Sequence, residues 1–363
     1  MAESLGGSTS HVYGIDLHTL CLTSIGTADE SQSQFALGTL DTQGDGSGGE
    51  IHIVNLHSSG TSSQDVLHST VFKHTTGIRA LAAAPWNASQ LVVVSTEGLV
   101  ELVSYDTEAS SAATRSVAQM AMPPGGGGGG SATRVACHRM AGVKQTAVVV
   151  AGVGVVVWDT VEAVAAVEDP HVEAVAWHPT SPSILATSDS LGGISTRDLR
   201  STPSHSHQAS IECAHTGRIR ALDYNPNLPY HLASGGSDGA LRIWDLRHAE
   251  APLITAANHS HWVCDLQYNP FYDQLLLSAG SDALVNLESA VSVSSATLAT
   301  THDDDEDSVR PVDGLVMQYD DHESSVYAVQ WSATDPWVFA SLSFDGRLVI
   351  NAVPREEKYK ILL

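Results

Sequence analysis

The sequence predicts an all-β fold, a ring of seven small sheets closed into a β-propeller, and three observations carry that prediction. The first is one unit, His215 to Arg247. Ile219, Ala221 and Tyr224 mark a strand with one apolar side, Leu232 to Gly236 forms a second strand, and Leu241 to Asp245 forms a third. Between the second and third stands Asp238-Gly239, the turn chemistry of a hairpin. The second observation is recurrence: His259 and Asp282 follow His215 and Asp238 at a spacing of 44 residues (215 to 259, 238 to 282), and His171 stands the same distance upstream. His322, Ser341 and Asp345 keep the internal spacing of the parent unit. The third is physical. One such unit cannot bury its own apolar face, so it needs a neighbour on each side, and seven units of about 44 residues account for most of the chain.

A histidine before the first strand, a serine in the second, an aspartate in the turn and Trp244-Asp245 at the end of the third form the pattern of a WD-repeat blade. The predicted fold class is therefore a seven-bladed WD-repeat β-propeller. It is expected to occupy residues 12–363 behind a disordered tail at 1–11, with flexible insertions at about 107–133, 201–210 and 292–314.

Composition narrows the function classes. The chain has 363 residues, 42% of them hydrophobic, and 17 basic against 41 acidic side chains give a formal net charge of −24. That balance opposes nucleic-acid phosphate and anionic lipid headgroups. Cys21, Cys137, Cys213 and Cys264 are scattered without a C-x-x-C pair, which fits a reducing cytosolic setting, and the first residues lack the order of a signal peptide. No apolar run reaches the roughly 18 to 20 residues of a membrane span.

Taken in order, Val12 to Leu17, Phe35 to Leu40 and Glu50 to Leu56 read as strands of the first blade. The second opens near His74 and continues through Ile78 to Leu81, Leu91 to Ser95 and Leu99 to Tyr105. Six consecutive glycines, 125–130, lose too much entropy on ordering to be anything but a loop. The third blade uses Val148 to Val150 and Val155 to Asp159; Ser201 to Ser210 reads as a polar linker between two strands of the fourth. The 292–314 insertion carries Asp303-Asp304-Asp305-Glu306-Asp307, acids that repel one another, so it is expected to be dispensable for folding. The last blade takes Val326 to Trp331, Val338 to Ser341 and Leu348 to Val353, and Lys358 to Leu363 is expected as its outermost strand, closing the ring.

Apparent active sites dissolve in this architecture, and no catalytic residue, cofactor or metal is expected. Gly235 to Gly239 satisfies the G-x-S-x-G pattern, but a nucleophile elbow requires a strand-to-helix turn and here another strand follows. His215, Ser234, Asp238 and Trp244 contain a triad's residue types. Their partial repetition as His259, Ser278, Asp282 and as His322, Ser341, Asp345 marks a structural hydrogen-bond chain, because an enzyme has no use for three copies. The tryptophan is replaced by Glu288 and Asn351 in those copies. The pairs His205/His207 and His259/His261 lack further ligands at zinc-site spacing, and Cys264, mid-strand, reads as a packed apolar residue.

Different expectations attach to Arg218, Arg220, His261, Trp262 and Tyr327. They follow the blade histidines, where side chains border the top of the channel, and arginines and aromatics dominate interface hot spots. The two arginines would offer a local positive site for a partner carboxylate.

The C-terminal third resembles one family more closely. The runs Glu212 to His215, His259 to Val263, Tyr272 to Leu275, Ser325 to Val329 and Asp335 to Ser343, with the ending Gly346 to Asn351, Val353-Pro354-Arg355, Lys358-Tyr359 and Ile361-Leu362-Leu363, are similar to the EARP-and-GARP-complex-interacting proteins. The specific likeness runs from about residue 211 to the end; before it, only Tyr13-Gly14 and Ile51-His52-Ile53 share the family's character. The resemblance implies a non-enzymatic adaptor, a monomer within a larger complex. Such an adaptor binds two endosomal tethering complexes, one serving recycling and the other retrograde transport to the trans-Golgi network. It would be cytoplasmic and would reach endosomes and the trans-Golgi network through its partners. The alternative is a substrate receptor or scaffold of another assembly, such as a ubiquitin ligase.

Overall fold

Several middle strands read as nearly unbroken apolar runs, such as Gln90–Ser95 and Gln145–Val150, and are buried, while outermost strands such as Arg115–Met120 and Glu162–Glu168 are largely exposed. A sheet covered on both faces loses the alternation that marks a half-exposed one. The computed structural model describes all residues except 1–9, 28, 30, 41–47, 58–65, 107–113, 121–131, 141, 160–161, 202–206, 297–311 and 363. The expected tail at 1–11 therefore lies almost entirely outside the described residues, as do the glycine run and the five-acid run.

The first strand in sequence, β1 (His11–Gly14), belongs to the last sheet. Blade 1 is β2 (Thr19–Ile25), β3 (Gln32–Thr39), β4 (Gly49–His57) and β5 (Val66–His74); blade 2 is β6 (Ile78–Ala83), β7 (Gln90–Ser95), β8 (Val100–Ser104) and β9 (Arg115–Met120). Blade 3 is β10 (Ala132–Cys137), β11 (Gln145–Val150), β12 (Gly154–Asp159) and β13 (Glu162–Glu168); blade 4 is β14 (Val172–Trp177), β15 (Ile184–Asp189), β16 (Ile194–Asp198) and β17 (His207–Ile211). Blade 5 is β18 (Ile219–Tyr224), β19 (His231–Gly236), β20 (Leu241–Asp245) and β21 (Ile254–Ala256); blade 6 is β22 (Val263–Tyr268), β23 (Leu275–Gly280), β24 (Val285–Ser289) and β25 (Gly314–Tyr319). Blade 7 is β26 (Val326–Trp331), β27 (Val338–Ser343) and β28 (Arg347–Ala352), completed by β1. These seven antiparallel four-stranded sheets are the seven-bladed β-propeller that the repeat spacing predicts.

The core lies between blades. Ile51, Ile53 and Phe72 of blade 1 pack with Ile78, Leu91 and Val93 of blade 2, and the other buried clusters likewise span neighbouring sheets around the ring. The inner strands add polar links. Asp223 accepts from the Tyr268 N–H at 2.9 Å and Asp265 from the Val329 N–H at 3.0 Å, so blades 5 and 6 each satisfy a backbone donor of the blade that follows. Just past the same inner strands, Asn225 donates to Asp273 (3.0 Å) and Asn269 to the Pro336 carbonyl (2.7 Å).

Several sequence expectations need correction. The ring is closed by β1, whose His11 and Gly14 pair with Ile350 and Arg347. The C-terminal segment forms a helix, α1 (Arg355–Leu362), with Glu356 and Glu357 in its first turn and Lys360 in its last, matching the helix dipole. Val12 to Leu17 thus contributes to blade 7 and not to blade 1, and His74 ends blade 1 instead of opening blade 2. Two stretches assigned to flexible insertions overlap outer strands, β9 within 107–133 and most of β17 at the end of 201–210. The 292–314 insertion is anchored at both ends: Asp313 accepts from the Ser292 N–H (2.8 Å), and Asp273 accepts from the N–H (2.8 Å) and Oγ (2.7 Å) of Ser295. Among the described residues, no helix is long and apolar enough to cross a membrane.

The turn between the second and third strands of a blade requires a left-handed residue. Gly239 (φ 74°) and Gly346 (φ 86°) supply it in blades 5 and 7, but blade 6 places Ala283 there at φ 66°. Its Cβ is strained in that region. Ala283→Gly is expected to raise stability by about 0.5–1 kcal/mol after the entropy of glycine is discounted, read as a shift of the denaturant midpoint at unchanged slope.

Candidate functional site

The blade 5 chain forms as the sequence pattern predicts. His215 Nδ1 lies 2.8 Å from Asp238 Oδ1, His215 Nε2 lies 2.8 Å from Ser234 Oγ, and the Trp244 indole donates to Ser234 Oγ at 2.9 Å. An indole only donates, so Ser234 Oγ accepts from it, and the Arg242 guanidinium stands 2.6 Å from His215 Nδ1 at the other end of the array. Burial lowers the His215 pKa, which favours the neutral ring. For Asp238 burial works upward, yet hydrogen bonds from His215 and from Arg242 (2.9 Å) outweigh it and hold the carboxyl well below its usual range. The result is a neutral imidazole clamped on a carboxylate.

Blade 6 repeats three members: His259 Nδ1 is 3.1 Å from Asp282 Oδ1 and Nε2 is 3.0 Å from Ser278 Oγ. Asn286, itself held by Gln318, also reaches Nε2 at 3.1 Å. Blade 7 does not repeat them. His322 Nε2 reaches Ser341 Oγ at 2.7 Å, but Asp345 accepts from the Ser343 hydroxyl, and the buried His322 Nδ1 has no partner among the described residues. The expectation that Asp345 completes a third copy is corrected, and the cause is one residue. Ser343 occupies the register position of Gly236 and Gly280. A Cβ built at Gly236 would stand 2.3 Å from His215 Nδ1, and one at Gly280 would stand 2.1 Å from Asp282 Oδ1. Only glycine leaves room for the imidazole and carboxylate to meet, so the serine intercepts the aspartate.

The serines of these arrays are sealed: Ser234, Ser278 and Ser341 have no exposed surface. Ser237, the serine of the G-x-S-x-G run, lies in the turn joining β19 to β20. Cys264 is buried, and burial pushes its thiol up to about 11. His259 uses both ring nitrogens within blade 6, and His261 Nδ1 is engaged by Ser281. His205 and the side chain of His207 lie outside the described residues.

The predicted partner residues fall into three contacts. The Arg220 guanidinium lies over the Trp262 ring, 4.7 Å from its centroid, and His261 packs against the same indole at 4.9 Å. Trp262 nevertheless stays 40% exposed. Tyr327 packs edge-on against Phe344 (5.9 Å), which stacks on His18 (4.5 Å). Arg218 turns the other way, to Glu173 of blade 4 at 3.5 Å, so the two arginines do not converge on one point. Arg220 and Tyr327 both line the central channel, which encloses about 1010 Å3. Phe344 and His18 were missed by the sequence reading: Phe344 stands in the blade turn and His18 in the loop after β1, beside each other only because β1 closes the ring.

Comparison with known proteins gives these residues a context. Residues 138–288, most of blades 3 to 6, match the family model described as EIPR1 beta-propeller, and residues 314–350 match the WD domain, G-beta repeat. The chain is a WD-repeat propeller similar to the EARP-and-GARP-complex-interacting proteins. It is 48% identical over 174 residues, 45% of each chain, to the human EARP and GARP complex-interacting protein 1. It is 43% identical over 158 residues to the Caenorhabditis elegans EARP-interacting protein 1, covering 42% of this chain and 44% of that one. These matches span less than half the length of either relative. A third likeness runs end to end at lower identity: 29% over 366 residues, 96% of this chain and 97% of the other, to the WD repeat-containing protein DWA2 of Arabidopsis thaliana. The family match begins at residue 138, well before residue 211, where its motifs become specific to the eye.

Two outcomes test the network. His215→Ala leaves the Asp238 carboxylate without its buried donor and is expected to cost about 1–3 kcal/mol, measured by denaturant unfolding. Full stability of that variant would remove the structural role. Burial pushes His322 down to about 4, against an unfolded value near 6.5. The unfolded state therefore binds the extra proton first, and the stability present above pH 6.5 falls as pH drops through that window toward 4. Ser343→Gly, which frees Asp345 to meet Nδ1, is expected to flatten this loss, read from melting temperatures across the range.

Proposed function

We propose that this propeller is a non-enzymatic adaptor that binds the endosomal EARP and GARP tethering complexes and supports endosomal recycling and endosome-to-trans-Golgi retrograde transport. The similarity across blades 3 to 6 to proteins named for those interactions is what carries the reading. The buried serines of the His–Ser–Asp arrays support its non-enzymatic side, because no substrate can reach a hydroxyl with no exposed surface. Association with endosomes and the trans-Golgi network then comes through partners, with the chain a single subunit of a larger assembly, and a net charge of −24 argues against nucleic acid.

Within this reading the partner surface is the channel mouth, centred on Arg220, Trp262, His261 and Tyr327, with Arg218 at its edge. A guanidinium held flat on an exposed indole presents one planar donor face and one broad apolar face, the combination that dominates interface hot spots. It suits an acidic, aromatic-containing segment of a tethering subunit.

The experiment is affinity purification with mass spectrometry on the full chain and on an Arg220→Glu, Trp262→Ala variant first checked for an unchanged melting temperature. Tethering subunits are expected with the parent chain. The variant is expected to capture at least about tenfold less, the effect of losing a hot-spot residue. Full capture by the folded variant would move the surface elsewhere on the ring, and recovery of ubiquitin-ligase adaptors in place of tethering subunits would replace the reading.

A further inference from the structure

The position held by Trp244 in blade 5 is held by Glu288 in blade 6. The indole packs with Ile194 and Ile211 in the cluster between blades 4 and 5. Between blades 5 and 6 the corresponding place is a cavity of about 270 Å3, running between β20 and β21 on one side and β24 and β25 on the other. Leu241, Ile243, Ile254 and Leu276 form its apolar walls, Leu315 stands at its exposed rim, and Glu288 and Asp313 bring two carboxyls to it. No lysine, arginine or histidine is among the described residues that line it.

Glu288 is 4% exposed. Asn258 and Ser278 hydrogen-bond its carboxyl, but Oε1 has no partner among the described residues. An uncompensated buried carboxylate is among the costliest groups a protein can hold, and burial accordingly raises this carboxyl above the ordinary glutamate range. A cation in the cavity would supply the counter-charge that the Glu288 carboxyl lacks among the described residues that line it. The volume lies just under that of a small-molecule pocket and suits one extended side chain on aliphatic walls.

We propose that this cleft between blades 5 and 6 binds a single cationic alkyl group, the ammonium or guanidinium of a lysine, an arginine or a free alkylamine. Its charge faces the Glu288 carboxyl and its methylenes lie against the aliphatic walls of the cleft. Asp313 at the entrance steers the cation in. The site is on the flank of the ring, separate from the Arg220–Trp262 cluster and of opposite charge preference, so its occupant need not be a tethering subunit.

The test uses the full chain and ligand-observed saturation-transfer NMR with n-butylammonium, n-butylguanidinium and neutral n-butanol. Both cations are expected to bind and compete with each other, with n-butanol at least about tenfold weaker, the scale of one buried charged hydrogen bond. Glu288→Gln, which keeps the shape and removes the charge, is expected to weaken the cations by the same factor. Thr255→Trp, on the exposed outer strand, roofs the cleft and is expected to abolish binding with Glu288 intact, so a failure of Glu288→Gln to fold leaves the question decidable. The acetylated, amidated tripeptide Gly-Lys-Gly and its norleucine counterpart separate the sources: binding of the lysine peptide assigns a protein side chain, and binding of the free amines alone assigns a small amine. Equal binding of n-butanol or of the norleucine peptide, or undiminished cation binding in either variant, overturns the site.

Discussion

Everything in this molecule depends on each sheet being buried on both faces. No blade owns a core: the apolar clusters each draw on two neighbouring sheets, so the stability of any blade is the stability of its two interfaces. The same demand explains the inner-strand carboxylates. Asp223 and Asp265 bridge to the next blade's backbone at a cost in desolvation that lifts Asp265 to about 6, yet they satisfy donors that no strand of their own sheet reaches. The ring is stitched by these inner-strand side chains and by Asn225 and Asn269, which directly follow the same strands, together with the hydrophobic contact between blades.

Much of this was legible because a WD blade repeats its polar residues as faithfully as its apolar ones. The spacing of His215, Ser234 and Asp238 recurs in blade 6 and gives the same hydrogen bonds there. It failed in blade 7 through a residue that the pattern treats as filler: Ser343, in a place where a Cβ collides with the imidazole. Spacing records which residues are in reach, and only packing records what stands between them.

The other misreadings share a cause, which is competition between distant segments. Lys358 to Leu362 alternates enough to pass for a strand, but Pro354 before it, two acids at its start and Lys360 at its end are helix-terminus chemistry, and β1 already occupies the edge it would have taken. β9 is an exposed outer strand and β17 reads His-Gln-Ala-Ser-Ile, so the apolar run that marks β7 or β11 is absent from both. The contact of Phe344 with His18, which flanks the proposed partner surface, follows from that closure and has no local signature at all.

Closure by β1 also sets the order of events on a ribosome. Blades 1 to 6 each draw four strands from one continuous stretch and can form as the chain emerges, whereas blade 7 waits for His11 to find Ile350. The entropy of closing so long a loop grows only logarithmically, so the delay costs time more than stability. Until that moment Phe35, Leu37 and Val54 on one flank and Ala340, Leu342 and Ile350 on the other lack each other's cover. These two surfaces are complementary, so a nascent ring that meets a second open copy before it meets its own end has a ready route to a strand-exchanged dimer.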